Sequence, residues 1–409
     1  MLAHNVYVYG DDALSGSNQF ILLLGGAVAA IVGFINRVHY KKMIKEIAHN
    51  FQSTTEAILI LLIVGALAGT WLVSGIIPAM IYYGLQILNP TIFLPATVII
   101  CSIISVATGS SWTTSATVGI ALIGIGKAIG LPLGMVAGAV ISGAYFGDKM
   151  SPLSDTTNLA PAMAGGELFA HIRYMTLTTV PTYMITLIVF VILGLTHEVS
   201  GNADTSTILS AIDGAFNING WLFIAPVMVI FLIVRKTKPL IALMAGVFLG
   251  AFFAVIFQPD VILKISGETA LNFRSVYKGV MNSITVSTSV ETTNAALNDL
   301  FSSGGMAGMM GTIWLIMCAM VFGGVMEAIG ALQKISSSLL NMADSIFGLF
   351  ASTVASCITL NVTASDQYLA IVVPGKMFAK AYRDRGLAPE NLSRTLEFRG
   401  LAPSGKMEK

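Results

Sequence analysis

"AILILLIVGALAGTWLVSGIIPAMIYYG", residues 57–84, opens a stretch with no Asp, Glu, Lys or Arg that runs from residue 57 to residue 126. A helix needs about 20 apolar residues to cross a hydrocarbon layer roughly 30 Å thick, so this run alone has room for three crossings. Further runs free of these charges cover 13–36, 128–147, 174–196, 214–234, 239–259, 301–326 and 345–365. Lipid offers no partner to an open backbone amide or carbonyl, so only helices and closed barrels can span it. Continuous apolar runs of this length read as helices. The fold class that follows is an all-α polytopic membrane protein.

Composition agrees. The 409 residues are 55% hydrophobic and only 11% charged, with a mean hydropathy of +0.80. Soluble domains carry about 25% charged residues. A net charge of +1 gives no electrostatic footing for nucleic acid. Cys101, Cys318 and Cys357 lie in apolar stretches at no metal-ligand spacing and read as packing residues. The five histidines lie outside the longest apolar runs. Neither a metal set nor a nucleophile and base stand at membrane depth, so the chain reads as a non-enzyme with no cofactor. The basic segments 36–50 and 235–238 read as cytoplasmic, and 197–220, with acids but no Lys or Arg, as external. Segment 174–196 then runs outward and 214–234 returns. Residues 258–300 are polar enough for an amphipathic or extramembrane helix.

A duplication organises the chain. "AGTWLVSGIIPAMIYYGL" (68–85) laid over "FGGVMEAIGALQKISSSL" (323–340), 255 residues on, brings Gly69 and Gly75 onto Gly324 and Gly330. At the same offset Thr108 meets Thr363 and Ser110 meets Ser365, and "GLP" at 130 meets "GLAP" at 386 within one residue. Both copies interrupt an apolar segment with small polar residues, "ATGSSWTT" (107–114) and "NVTASDQY" (361–368). Such runs serve close helix packing, but matched interruptions in two repeats are also the sequence mark of a midplane binding site. The two breaks are expected to face each other at similar depth, in segments of opposite direction.

The charged residues at membrane depth add chemistry. "GDKMSPLSDTTN" (147–158) follows an uncharged run and holds Asp148, Lys149 and Asp155. Pro152 removes a backbone donor and disfavours helix at Ser151. Carbonyls freed there, with Ser151, Ser154, Thr156, Thr157, Asn158 and the Asp155 carboxylate, make an oxygen shell suited to a hard cation such as Na+. Burial favours the protonated carboxyl group and a bound cation favours the ionised one. Na+ and H+ would therefore compete at Asp155, and competition at an alternately exposed site is antiport. Asp148 and Glu327 are further proton-coupling candidates, although Asp148 and Lys149 could instead pair with each other and Glu327 could be a polar helix contact.

"ATGSSWTT", "GDKMSPLSDTTNLAPAMAG", "FGGVMEAIG" and "NLSRTLE" together resemble the NhaC family of sodium/proton antiporters. The resemblance covers nearly the whole chain. It implies two inverted repeats with hairpins and broken helices, in a multi-pass protein of the inner, cytoplasmic membrane. It implies an ion site built from Thr108, Ser110 and Ser111, from Ser151 to Asn158, and from Thr363, Ser365 and Asp366, with Na+ as transported ion and no other metal. Na+, H+ and membrane lipid are the implied partners, with malate or lactate as a further cargo and a homo-oligomer left open. A Na+-coupled malate/lactate or dicarboxylate carrier, with Lys149 as the acid's cation, is the alternative. The expected organisation is a first helix and basic segment (1–55), a first repeat (56–172), connecting helices and a polar segment (173–300), and a second repeat (301–409). Family members usually begin with a further helix and continue beyond "SRTLE" with a second Ser-Pro element. The counterpart of Ser151 would fall near residue 406, so the second repeat is expected to be incomplete and the chain truncated at both ends. A non-transporting remnant is the second alternative.

Overall fold

The structure, a computed structural model, describes residues 2–9, 16–87, 90–152, 154–196, 205–235, 237–292, 298, 301–341, 345–364 and 367–397. Ser365, Asp366 and the C-terminal residues 398–409 lie outside them, as do the side chains of Asp155 and Thr363.

The described residues are almost all helical. The helices are α1 (Leu2–Tyr9), α2 (Ser17–Ile35), α3 (Tyr40–Val73), α4 (Ile76–Ile87), α5 (Pro90–Thr108), α6 (Ser111–Thr114), α7 (Ile120–Ala128), α8 (Leu133–Met150), α9 (Asp155–Ala164) and α10 (Leu168–Thr196). They continue with α11 (Thr205–Ala215), α12 (Ile224–Val234), α13 (Pro239–Phe257), α14 (Pro259–Ser266), α15 (Phe273–Thr285) and α16 (Gly305–Gly308). The last are α17 (Met310–Ala328), α18 (Ala331–Asn341), α19 (Ile346–Ala364), α20 (Gln367–Asp384) and α21 (Pro389–Glu397). A two-residue antiparallel pair, β1 (Thr288–Ser289) with β2 (Ser302–Ser303), is the sheet described.

Among the described residues, 6 helices are long and apolar enough to cross a membrane. They are Ser17–Ile35, Thr54–Val73, Thr91–Thr108, Leu168–Thr196, Pro239–Phe257 and Met310–Ala328. Their unpaired faces are apolar: Ile185, Ile188, Ile192 and Leu195 on α10, and Ile241, Phe248, Phe252 and Ile256 on α13, are exposed. A multi-pass all-α membrane protein is the result. One apolar run departs from a plain crossing. Residues 208–215 and 220–233 form a pair bent by 88°. Asn219 caps the second piece by accepting from the Trp221 amide at 3.1 Å, and Asn217 is clamped by Gln258 through two 3.0 Å hydrogen bonds. The polar segment after α13 forms two short helices. In α15 the Asn272/Ser275 capping box fixes the start, and Ser275, Gly279 and Ser283 are the buried stripe.

Two compact units form, each from non-contiguous segments: Ala57–Asp148 with Pro181–Met310, and Met1–Glu56 with Lys149–Val180 and Gly311–Glu408. In the first, Leu67, Trp71, Phe93, Leu94, Val98 and Val136 belong to one apolar core, and the Trp71 indole donates to the Gly246 carbonyl at 3.1 Å. In the second, Leu349, Cys357, Ile371, Phe378, Leu392 and Leu396 close around Ala160 and Ala164 of α9. The short α21 packs there against α9, α19 and α20. Leu392, Ser393, Thr395, Leu396 and Glu397 are buried, so α21 is part of this packed body although the segment from residue 382 is rich in charge. The arginines leave room for this, because Arg383 and Arg385 are exposed while the apolar stripe of α21 turns inward.

Helix boundaries recur along the chain. α3 and α17 end at Val73 and Ala328, and α4 and α18 begin at Ile76 and Ala331, 255 residues apart in each case. α5 and α19 end at Thr108 and Ala364, α6 and α20 begin at Ser111 and Gln367, and α8 and α21 begin at Leu133 and Pro389, now 256 apart. The joints Gly75 and Gly330 both take positive φ, 81° and 74°, a conformation glycine adopts without steric cost.

Candidate ion site at the helix breaks

The first break lies in the unit that holds 57–148. α5 runs to Thr108 and stops at Gly109, whose φ is 69°. Ser110 is extended and its hydroxyl accepts from the Thr113 amide at 3.2 Å, starting α6. A π-helical turn, Ser115–Gly119, follows before α7 resumes the α-helix. The hydroxyls of the break hold one another. Thr113 Oγ1 donates to Ser110 Oγ at 3.1 Å, Thr114 Oγ1 donates to the Ser110 carbonyl at 3.0 Å, and Thr108 and Thr114 lie 3.3 Å apart. Thr108, Ser111, Thr113 and Thr114 are all buried. A hydroxyl that donates still has lone pairs for a cation.

Asp148 reaches this break. Ser111 Oγ donates to its Oδ2 at 2.9 Å. Two glycines make that approach achievable. A Cβ on Gly143 would sit 2.3 Å from the Val98 carbonyl oxygen, and one on Gly147 would sit 2.4 Å from Ser105 Cβ. Small residues four apart let α8 lie directly on α5, and Asp148 is the next residue along.

The second break lies in the other unit. α8 ends at Met150 and α9 begins at Asp155. Ser154 caps α9, its hydroxyl accepting from the Thr157 amide at 3.5 Å and standing 3.3 Å from Thr156 Oγ1. Thr157 Oγ1 donates back across the break to the Lys149 carbonyl at 3.3 Å. Ser151, Ser154 and Thr157 are buried. Asn158 is exposed, and its amide nitrogen donates to the carbonyls of Pro152 (2.9 Å) and Ser154 (2.7 Å), which stitches the break together. Asp155 occupies the first turn of α9, the end where the helix dipole favours negative charge. A helix start, hydroxyls and a carboxylate residue are thus gathered within eight residues of one another, as the sequence pattern requires for a hard cation.

The third stretch is the counterpart of the first. Asn361 is buried near the end of α19, and Thr363 lies in its last turn. Ser365 and Asp366 fall between α19 and α20, outside the described residues. Glu327 is half-buried in the last turn of α17. Among the described residues, no three His, Cys, Asp or Glu side chains gather as a metal centre would require.

Lys149 has a partner that the sequence did not disclose. Its ammonium donates to the backbone carbonyl of Glu397 and lies 3.5 Å from Glu397 Oε2. With its side chain 8% exposed and so engaged, Lys149 is not the open cation that an organic acid would need. His171 Nδ1 bonds Ser393 Oγ at 2.8 Å, Tyr174 donates to Asn391 Oδ1 at 2.9 Å, and the Arg394 guanidinium lies 4.5 Å from the Tyr174 ring centre. The "NLSRTLE" stretch thereby joins the "GDKMSPLSDTTN" stretch in one local structure. No spacing rule joins residues 248 apart; only the two stretches' shared polarity pointed to them.

Comparison with known proteins places this architecture. A model of the Na+/H+ antiporter family matches residues 143–402, which takes in both stretches. The chain is 37% identical over 373 residues to the Na(+)/H(+) antiporter NhaC of Alkalihalophilus pseudofirmus, covering 91% of this chain and 78% of that one. It is 36% identical over 390 residues to the malate-2H(+)/Na(+)-lactate antiporter of Bacillus subtilis, covering 95% and 80%. It is 31% identical over 404 residues to the arginine/ornithine antiporter ArcD of Halobacterium salinarum, covering 98% and 79%. These are transporters rather than enzymes. With its broken helices inside the matched span, the chain belongs to the Na+/H+ antiporter family, in agreement with the NhaC resemblance of its motifs.

Proposed function

We propose that the protein exchanges Na+ for H+ across the cytoplasmic membrane, with Asp155 as the group both ions share. The observation that carries this reading is the break at 151–154, where buried hydroxyls and a helix start converge beside a carboxylate residue inside the family-matched span. Thr108, Ser110 and Ser111, with Asp148 held by Ser111, and the offset-matched Thr363, Ser365 and Asp366 are the further oxygen-bearing residues that the family resemblance assigns to ion handling. Each ion's binding expels the other from the same carboxylate, so neither crosses without exchange. Purified chain in proteoliposomes loaded with a pH dye tests this. Added external Na+ should raise the lumenal pH saturably, and K+ should not. No response to Na+ would overturn the reading.

A second reading adds an organic acid to the cargo. Similarity to the malate-2H(+)/Na(+)-lactate antiporter covers as much of the chain as similarity to NhaC. With Lys149 occupied by Glu397, hydroxyls and helix starts are the groups left to hold a carboxylate. Lumenal malate that accelerates Na+-driven alkalinisation in the same vesicles favours this reading, and indifference to malate and lactate argues against it.

A further inference from the structure

Lys149 sits at the last turn of α8, one residue before Met150 closes the helix. Both ends of the residue are tied. Its carbonyl accepts from Thr157 Oγ1 on the far side of the break. Its ammonium donates to the Glu397 carbonyl and faces the Glu397 carboxylate, with side chains only 8% and 4% exposed. Glu397 is the last residue of α21, where carbonyls have no helical partner and the dipole favours a cation. α21 is itself anchored, through Ser393 to His171 and Asn391 to Tyr174.

Two buried atoms in this cluster, Glu397 Oε1 and His171 Nε2, have no hydrogen-bond partner among the described residues. Such atoms are rare in native structures and call for a reason. Stability is a weak one, because a buried ion pair often contributes no more than apolar side chains of the same volume. What the pair does achieve is geometric. It holds the backbone at the start of 151–154 against a fixed point, while Thr157 and Ser154 hold the other side.

We propose that Lys149 is a positioning residue for ion exchange and Glu397 its counter-charge, together fixing the break so that its oxygen atoms stay directed at the ion. This rests on the Na+/H+ exchange reading. Loss of the clamp lets the freed carbonyls turn away, which weakens Na+ binding but leaves the exchanging carboxylate in place. The effect therefore falls on KM for Na+ rather than on the maximal rate.

The test uses the full chain in proteoliposomes, with Na+-driven alkalinisation measured over a range of Na+. Lys149→Met should raise KM for Na+ roughly tenfold with the maximal rate within about twofold, and Lys149→Arg, which keeps the charge and the donors, should restore most of the affinity. The paired change Lys149→Met with Glu397→Met leaves no lone buried charge; it should fold and show the same raised KM. A wild-type KM in Lys149→Met or in the paired variant overturns the proposal. So does failure of the paired variant to reach the membrane when Lys149→Arg does, since the pair would then be a folding element. Absence of exchange by the wild-type chain in the same vesicles overturns the exchange reading and this proposal with it, whereas wild-type exchange with unchanged variants overturns this proposal alone.

Discussion

Ser111, Ser154 and Ser393 each hold one hydrogen bond on which a neighbour depends. Ser154 caps α9, and Ser154→Ala should cost about 1 kcal/mol through the lost cap, while also removing an oxygen from the break. Ser111→Ala frees Asp148 Oδ2 from its 2.9 Å donor and should slow exchange with little change in expression. Ser393→Ala leaves the buried His171 Nδ1 without its 2.8 Å partner, which should cost about 1–3 kcal/mol, read as a lower thermal midpoint in detergent. At this scale the sequence showed which stretches are polar at membrane depth and why oxygen-rich ones suit Na+. It did not show the partners. Asp148 and Lys149 are adjacent, and a mutual pair was one of two readings; the contacts with Ser111, 37 residues from Asp148, and with Glu397, 248 from Lys149, were outside both. Periodicity reports faces of a helix, not which distant side chain meets them.

The breaks take their places because helices pack closely around them. Gly143 and Gly147 bring α8 onto α5, and any side chain at Gly147 meets the Ser105 Cβ and the Ser102 carbonyl within 2.6 Å. Gly147→Val should therefore destabilise the protein by about 1–3 kcal/mol and push Asp148 away from Ser111; unchanged stability and exchange would show that the close crossing is unimportant. Element existence was legible from the uncharged runs, and the helix breaks from Pro152 and from the Gly-Ser-Thr clusters. The bend of 88° between residues 208–215 and 220–233 was not. The run 214–234 is uncharged throughout, and the bend is set by the Asn217–Gln258 clamp and the Asn219 cap, features of tertiary contact and local polarity that a count of charges does not weigh. The packing of α21 was hidden for a related reason: it holds only two leucines among polar and charged residues, and its buried stripe is visible only when helical spacing is imposed on "NLSRTLE".

For the molecule as a whole, the recurring helix boundaries are the strongest organising fact. The offset read from a few glycines and threonines reappears in the ends of five pairs of helices, at 255 and then 256 residues. The single-residue slip lies between the starts of α4 and α18 and the ends of α5 and α19, and the glycines of "GLP" and "GLAP" keep the later offset of 256. Membership of the Na+/H+ antiporter family and a multi-pass helical fold rest on most of the chain; the exchange chemistry proposed above rests on a dozen residues of it. The exchange proposed above turns on competition between Na+ and H+ for Asp155. The most direct measurement is proton release by the purified protein in unbuffered detergent solution when Na+ is added. Wild type should release protons on Na+ and not on K+, with Asp155→Asn folded and silent. Equal release from Asp155→Asn, or none from a wild-type protein that still exchanges Na+ for H+ in vesicles, would contradict the account.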